Sequence, residues 1–188
     1  GESHPYGRSF GGTGDAAAFV DVGKAGTGVL LVEQRGTANL EGLRLGLQSG
    51  SNGTLTVVGS GTSPSTLTYG GTGTDFIVGD GGTGLAIIGT STPLNVATIS
   101  AGDITDPVGR VIVGRLAGSS GTITLRGTGT LWTNTGAEFV VGDAGSGTLQ
   151  ILDGAQLTTD TTGQLVLARA AGSTANVVIG AGSAWVEN

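Results

Sequence analysis

The chain of 188 residues contains no cysteine, four prolines and a single histidine. Without cysteine it forms neither disulfides nor thiolate sites. The only histidine, His4, lies in an irregular start, so we expect no Ser-His-Asp triad and no metal site built from histidine and cysteine. The chain also has 39 glycines that do not recur at every third position, which, with so little proline, excludes collagen.

Charged residues are scarce at 12% of the chain, and acidic residues outnumber basic ones to give a net charge of −6. Because the basic residues are scattered singly, we expect no nucleic-acid partner. No apolar stretch reaches the length of a membrane span, so we expect this chain not to cross a membrane. Residues 1–16 lack the apolar centre of a signal peptide, and we interpret them as an irregular start that is either a cap or not native.

What the chain has in abundance is a repeated pair of short apolar runs. In Glu138–Gly154, EFVVGDAGSGTLQILDG, a run that ends at Gly142 is followed by a small turn and a second run, Thr148–Leu152. This pattern predicts two strands joined by a tight glycine turn. The first run recurs about six times and closes at residues 23, 46, 79, 114, 142 and 168. A third, weaker run completes most units, and no stretch shows helical periodicity.

These repeats predict an all-β solenoid. Units of 23 to 35 residues are too short for propeller blades, and one unit cannot bury its own apolar side chains, so the units must stack. We therefore predict a right-handed parallel β-helix of about six turns, with three short strands per turn, over residues 17–188 as a single domain. The longest units predict loops near 60–66 and 91–107.

Alternation along each strand predicts which side chains face the interior. For the first strands these are Val20, Val22, Leu43, Leu45, Phe76, Val78, Val111, Val113, Phe139, Val141, Leu165 and Leu167. For the second strands they are Val29, Leu31, Leu55, Val57, Leu85, Ile87, Ile123, Leu125, Leu149, Ile151, Val177 and Ile179. We expect like residues to stack on like residues along the axis.

Three segments carry a resemblance to a known family. Residues 140–157 (VVGDAGSGTLQILDGAQL), 127–134 (GTGTLWTN) and 180–185 (GAGSAW) resemble the glycine-rich passenger repeats of bacterial autotransporters. The resemblance extends from about Ala17 to the end and implies a β-helix exported through an outer-membrane β-barrel to the surface of a Gram-negative bacterium. It also implies roles in adhesion, aggregation or biofilm formation, with a cell-surface receptor or glycan, or another copy, as partner.

One segment matches a calcium-binding repeat. Gly70–Val78 fits the nonapeptide GGxGxDxUx, with Asp75 as the candidate ligand. In such repeats successive nonapeptides share the calcium ion, and the residues from Gly79 onward supply no matching aspartate. We therefore predict no metal site and no cofactor, with Asp75 as the only metal candidate.

Two other sets of residues recur at equivalent positions. The residue after the closing position of the first strand alternates in sign over four turns, which predicts a charge ladder that fixes the register between turns: Asp80, Arg115, Asp143 and Arg169. The outward position in the middle of the first strand is aliphatic in four successive turns, which indicates either a partner surface or a strip covered by the 91–107 loop: Ile77, Ile112, Val140 and Val166.

The sequence therefore favours a non-enzymatic rod, a segment of an autotransporter passenger that acts as an adhesive or stalk element. One alternative is a polysaccharide lyase or hydrolase, because such enzymes also use β-helices and need clustered carboxylates. Asp80 and Asp143, with Arg115 between them, are the nearest approach to such a cluster. The other alternative is a structural spacer without a ligand, and no catalytic residue is assigned.

Overall fold

The structure, a computed structural model, describes residues 19–59, 64–70, 74–90, 97–101, 109–136, 138–159 and 164–187, with the backbone alone for 97–101. The regular secondary structure of these residues consists of 18 β-strands, which form three six-stranded sheets. The all-β prediction is confirmed.

Every third strand along the chain belongs to the same sheet. The first sheet contains β1 (Phe19–Val22), β4 (Gly42–Leu45), β7 (Phe76–Val78), β10 (Val111–Val113), β13 (Glu138–Val141) and β16 (Gln164–Leu167). The second sheet contains β2 (Thr27–Glu33), β5 (Asn52–Val58), β8 (Thr83–Ile88), β11 (Ser120–Arg126), β14 (Ser146–Leu152) and β17 (Thr174–Ile179). The third sheet contains β3 (Thr37–Leu40), β6 (Ser65–Tyr69), β9 (Ala97–Ala101), β12 (Leu131–Asn134), β15 (Gln156–Thr159) and β18 (Ala184–Glu187).

The three sheets are parallel and are visited in rotation. Each strand between the first and the last turn pairs with the strand one turn before it and with the strand one turn after it, as β10 does with β7 and β13. The fold is therefore a parallel β-solenoid with three strands per turn, as predicted. Counted as returns from one strand of the first sheet to the next, the described chain completes five turns, slightly fewer than the six predicted. The right-handed sense of the coil stays a prediction.

Side chains from all three sheets stack along the axis in one hydrophobic core. A row of aromatic rings runs through this core: neighbouring rings of Tyr69, Phe76, Trp132, Phe139 and Trp185 have centroids 4.8 to 6.3 Å apart. Such tilted and edge-on contacts add to the free energy gained when the rings leave water. The row therefore ties five successive turns to one another, from the turn of β6 to the last described turn.

One hydroxyl group lies inside this apolar row. The Tyr69 hydroxyl accepts a hydrogen bond from Nε1 of Trp132 and donates one to Oδ1 of Asn134, each at 3.2 Å. Burial raises the pKa of Tyr69 far above its ordinary value, and the hydrogen bond from Trp132 lowers it by less. The three polar groups satisfy one another, which is what burial requires of them.

The predicted interior positions of the first strands are confirmed in register along the whole first sheet. The predicted interior residues of β4, β7, β10 and β13 are buried, and so is Val22 of β1. Val20 of β1 is half-buried and packs against the core. In β16, Leu165 and Leu167 occupy the same positions but are each 49% exposed, because no described strand stacks on the outer edge of that turn.

For the second strands the prediction is wrong at four positions. The side chains that face outward instead of inward are Val29, Leu31, Leu85 and Ile87. Their neighbours face the core: Leu30, Val32, Ala86 and Ile88. The strands align on a shared glycine, as Gly84 does with Gly53 and Gly121, and not on the first apolar residue of each run. The interior residues are the second and fourth after this glycine, so a count from the glycine predicts them correctly.

The two predicted loops include strand residues. β6 begins at Ser65, inside 60–66, and all of β9 lies inside 91–107. β9 pairs with both β6 and β12, so the third sheet continues without a gap. The residues of β9, ATISA, include one large apolar side chain, too few to produce a clear strand pattern. Residues 60–63, 91–96 and 102–107 of these loops, and residues 1–18, lie outside the described residues.

Candidate functional site

The corner between the first and second sheets alternates in length from turn to turn. After the closing residue of the first strand it has three residues in the turns of β1, β7 and β13, and five in those of β4, β10 and β16. Each long corner ends in a four-residue turn with glycine at positive φ: Gly50, Gly118 and Gly172. The long corners therefore project beyond the short ones.

This alternation produces a cleft of about 360 Å³. Its walls are two long corners, represented by Leu47 and Leu116, and its floor is Gly81 of the short corner between them. The residues that line it bear no ionisable side chain. The cleft therefore has the shape of a binding groove without the groups that general acid–base chemistry requires.

The predicted charge ladder forms as two separate ion pairs. Nη1 of Arg115 lies 3.0 Å from Oδ1 of Asp80, and Nη1 of Arg169 lies 3.6 Å from Oδ1 of Asp143. Each pair joins consecutive turns, as predicted. Within the part of the chain that the structure describes, no ion pair joins Arg115 to Asp143, so a continuous ladder does not form.

Three further ion pairs on the same side of the solenoid were missed by the sequence analysis. Arg44 binds Asp21 at 2.7 Å, Arg110 binds Asp75 at 2.8 Å, and Arg169 binds Glu138 at 2.6 Å. All three also join consecutive turns. Residues of opposite charge at the same position in successive first strands, such as Asp21 and Arg44, were the available signal.

Asp75, the calcium candidate, is occupied by protein donors. Its Oδ1 accepts a hydrogen bond from the backbone N–H of Arg110 at 2.8 Å, and the guanidinium of Arg110 contacts both carboxylate oxygens. The hydrogen bond between the Arg110 guanidinium and Asp75 raises the pKa of Arg110, and the negative charges of the nearby Glu138 and Asp143 raise it further. Among the described residues no group of three or more His, Cys, Asp or Glu is placed to hold a metal ion.

The aliphatic strip on the first sheet is not an exposed partner surface. Ile77, Ile112 and Val140 are buried with 0 to 3% exposure, and Val166 is half-buried against them. Arg169 contacts Glu138 and Asp143, which lie at the two ends of β13, so its side chain crosses the outer face of the strand that carries Val140. Charged side chains thus lie over this part of the strip. The predicted cover by the 91–107 loop lies outside the described side chains.

The carboxylates named for a polysaccharide-cleaving site are paired. Asp80 is 3% exposed at its side chain and bound to Arg115, and Asp143 is 23% exposed and bound to Arg169. An acid that protonates a leaving group must reach the substrate, whereas each of these carboxylates is held by a guanidinium of the following turn.

The outer faces of the other two sheets have a different character. The central outward positions of the second sheet are Val29, Leu31, Thr54, Thr56, Leu85, Ile87, Thr122, Thr124, Thr148, Gln150, Asn176 and Val178. Those of the third sheet with described side chains are Thr37, Asn39, Thr66, Thr68, Leu131, Thr133, Gln156, Thr158, Ala184 and Val186. None of these described positions is charged, whereas the ion pairs around the first strands contain most of the charged residues that the structure describes. The sequence analysis missed this separation because the third strands had not all been located.

A second cavity, of about 220 Å³, opens at the end formed by the last described turn. Leu165, Trp185 and Phe139 are among the side chains that line it. It is continuous with the aromatic row, so it belongs to the part of the interior that the last turn leaves partly uncovered.

Comparison of the chain with family models, with curated proteins and with solved structures gave no match. The described residues contain no helix that is long and apolar enough to span a membrane.

Proposed function

We propose that this chain is a segment of a surface-displayed passenger of the autotransporter type, and that it acts as an adhesive stalk. The observation that carries the proposal is the stacking of six similar three-stranded units in unbroken parallel register. At roughly 4.8 Å per strand spacing, such a stack is a rod on the order of 30 Å long. A rod of repeated units presents the same kind of surface again and again, as an adhesive element needs.

The resemblance of residues 127–134, 140–157 and 180–185 to passenger repeats supports the same proposal. On this proposal the protein lies outside a Gram-negative cell, after export of the unfolded chain through an outer-membrane β-barrel. A solenoid suits this route, because each turn contacts only its neighbours and folding can propagate from one turn to the next. The partner is a receptor or glycan on another cell, or a second copy of the chain.

Display on a non-adherent Gram-negative bacterium tests the proposal. The chain is fused to an outer-membrane anchor, and attachment to host cells, settling of the culture and biofilm mass are measured. We expect at least one of these to rise severalfold over cells that display the anchor alone at the same surface density. If all three stay at the level of the anchor alone, the adhesive function is wrong, and a spacer without a ligand is the better description.

A further inference from the structure

A column of polar, uncharged side chains runs along the outer face of the third sheet. Asn39 of β3, Thr68 of β6, Thr133 of β12 and Thr158 of β15 occupy the same position in the parallel ladder. β9, between β6 and β12, has Ser100 at this register position. Five successive strands therefore have a hydroxyl or amide residue in one line parallel to the axis of the solenoid.

The second sheet, although its central outward positions are also uncharged, has no such continuous line. Its columns contain threonines in β5, β11 and β14, but Leu85 and Ile87 interrupt both columns at β8. In β2 the same positions are the exposed Val29 and Leu31. The polar column is thus a feature of the third sheet and not of every outward face.

The column repeats at the spacing of the strands, about 4.8 Å. Threonine is β-branched, so its hydroxyl is held in few rotamers and loses little further freedom when it binds a ligand. Each hydroxyl can donate one hydrogen bond and accept others, and the Asn39 amide does both as well. The face therefore offers a rigid, regularly spaced row of hydrogen-bonding groups.

The chemistry of the row limits its partner. A polyanion or polycation gains little from a column without charged side chains, because the electrostatic attraction that holds such polymers is absent there. A linear polymer with hydroxyl groups on every unit can follow the column and form hydrogen bonds with Asn39, Thr133 and Thr158. We propose that the outer face of the third sheet binds a neutral polysaccharide along the axis of the rod, an inference that rests on the proposed adhesive function.

Such binding has a characteristic dependence on ligand length. A hydrogen bond at an exposed surface contributes only about 0.5–1.5 kcal/mol net, because water competes for the same groups. Single sugars bind weakly for this reason, and affinity comes from many contacts along one chain. We expect long neutral polysaccharides to be retained and mono- or disaccharides to compete poorly.

The test is affinity electrophoresis of the 188-residue protein in gels that contain a neutral β-glucan, a mannan, or the acidic polymer polygalacturonate. Retardation is expected in a neutral polymer and should persist at 0.5 M salt. The double variant Thr133→Val/Thr158→Val removes two hydroxyls from the third sheet and keeps the β-branched shape. It should weaken retardation about fivefold or more, in line with the loss of two hydrogen bonds.

The matched control is Thr122→Val/Thr148→Val, which makes the same change on the second sheet and should leave retardation within about twofold. Melting temperatures of both variants verify that they fold. Equal weakening by both variants, retention only by the acidic polymer, or no retention by any polymer overturns the inference. If retention fails while displayed chain still attaches to cells, adhesion stands with another ligand; if attachment also fails, the proposed function is overturned as well.

Discussion

Arg115 holds the carboxylate of Asp80, which lies on the preceding turn and is almost fully buried. The two side chains are 3.0 Å apart, and Asp80 is 3% exposed while Arg115 is 38% exposed. A carboxylate withdrawn from water to this degree is costly to bury unless a cation or several hydrogen-bond donors pair with it. The pair therefore links two turns at the corner where the chain passes from the first sheet to the second.

The first prediction concerns this link. Arg115→Gln leaves the Asp80 carboxylate buried without its cation and should lower the free energy of unfolding by about 1–3 kcal/mol. Arg110→Gln is the matched control: its partner Asp75 is 19% exposed and keeps the backbone N–H of residue 110, so we expect a loss of about 0–1 kcal/mol. Urea unfolding measures both values, and equal losses would contradict the role given to burial.

A second prediction separates two adjacent isoleucines in β8. Ile88 is fully buried in the core, whereas Ile87 faces outward in line with Thr56 and Thr124. Ile88→Ala should cost about 2–5 kcal/mol through lost packing and the cavity it leaves. Ile87→Thr should change stability by less than about 1 kcal/mol, because Thr already occupies this column in both neighbouring strands. Thermal unfolding of the two variants decides whether the register of β8 is as described.

These two isoleucines also show where sequence patterns suffice for this fold. The runs around Phe76, Val113 and Phe139 are apolar at every position, but each ends at a glycine. Counted back from this glycine they match the runs of β1 and β4, whose middle residues Asp21 and Arg44 are polar, so the interior positions of the first sheet are predicted correctly. In β8 the run Leu85–Ile88 is apolar at every position, so alternation alone cannot choose the inward face. The choice is made by the neighbouring strands, whose glycines align with Gly84.

The candidate sites were harder to predict than the fold. Opposite charges at equivalent positions indicated the Asp80–Arg115 contact. They did not indicate that Arg169 lies closer to Glu138 than to Asp143, because the repeat pattern does not determine the direction that a long side chain takes. The aliphatic strip was located correctly, but its burial could not be predicted, because a strand pattern does not report what packs over an outward face. The polar column required β9 to be placed first.

The third prediction follows from the buried hydroxyl of Tyr69. The pKa of Tyr69 is higher in the folded protein than its unfolded value of about 10. The contribution of the neutral hydroxyl to the free energy of unfolding is therefore complete below pH 10 and is lost as the pH rises further. In a Tyr6→Phe variant, which leaves Tyr69 as the only tyrosine, absorbance at 295 nm should not change near pH 10 until the protein unfolds. A normal titration of the folded protein would contradict this environment.

Removal of the same hydroxyl tests the hydrogen bonds directly. Tyr69→Phe leaves Nε1 of Trp132 and Oδ1 of Asn134 without the partner that each has inside the core. We expect a loss of about 1–3 kcal/mol in the free energy of unfolding. Additional replacement of Asn134 by Leu should recover part of this loss, because it removes one of the two unsatisfied groups; no recovery would mean that Tyr69 acts through packing alone.

The last prediction separates two reasons for glycine at the corners. Gly79 and Gly118 have similar positive φ values, 75° and 80°, so either replacement by Ala brings the strain of a left-handed conformation, about 1–2 kcal/mol. At Gly118 an added Cβ would have no other atom within 4 Å, whereas at Gly79 it would collide with the carbonyl oxygen of Ser120 on the next turn. Gly118→Ala should therefore lower the free energy of unfolding by little more than this strain. Gly79→Ala should lower it clearly more, because the turns can no longer pack as closely. The difference is measured as a lower melting temperature of the Gly79→Ala variant. Equal effects would mean that conformational strain alone explains these glycines, and that close packing between the turns does not.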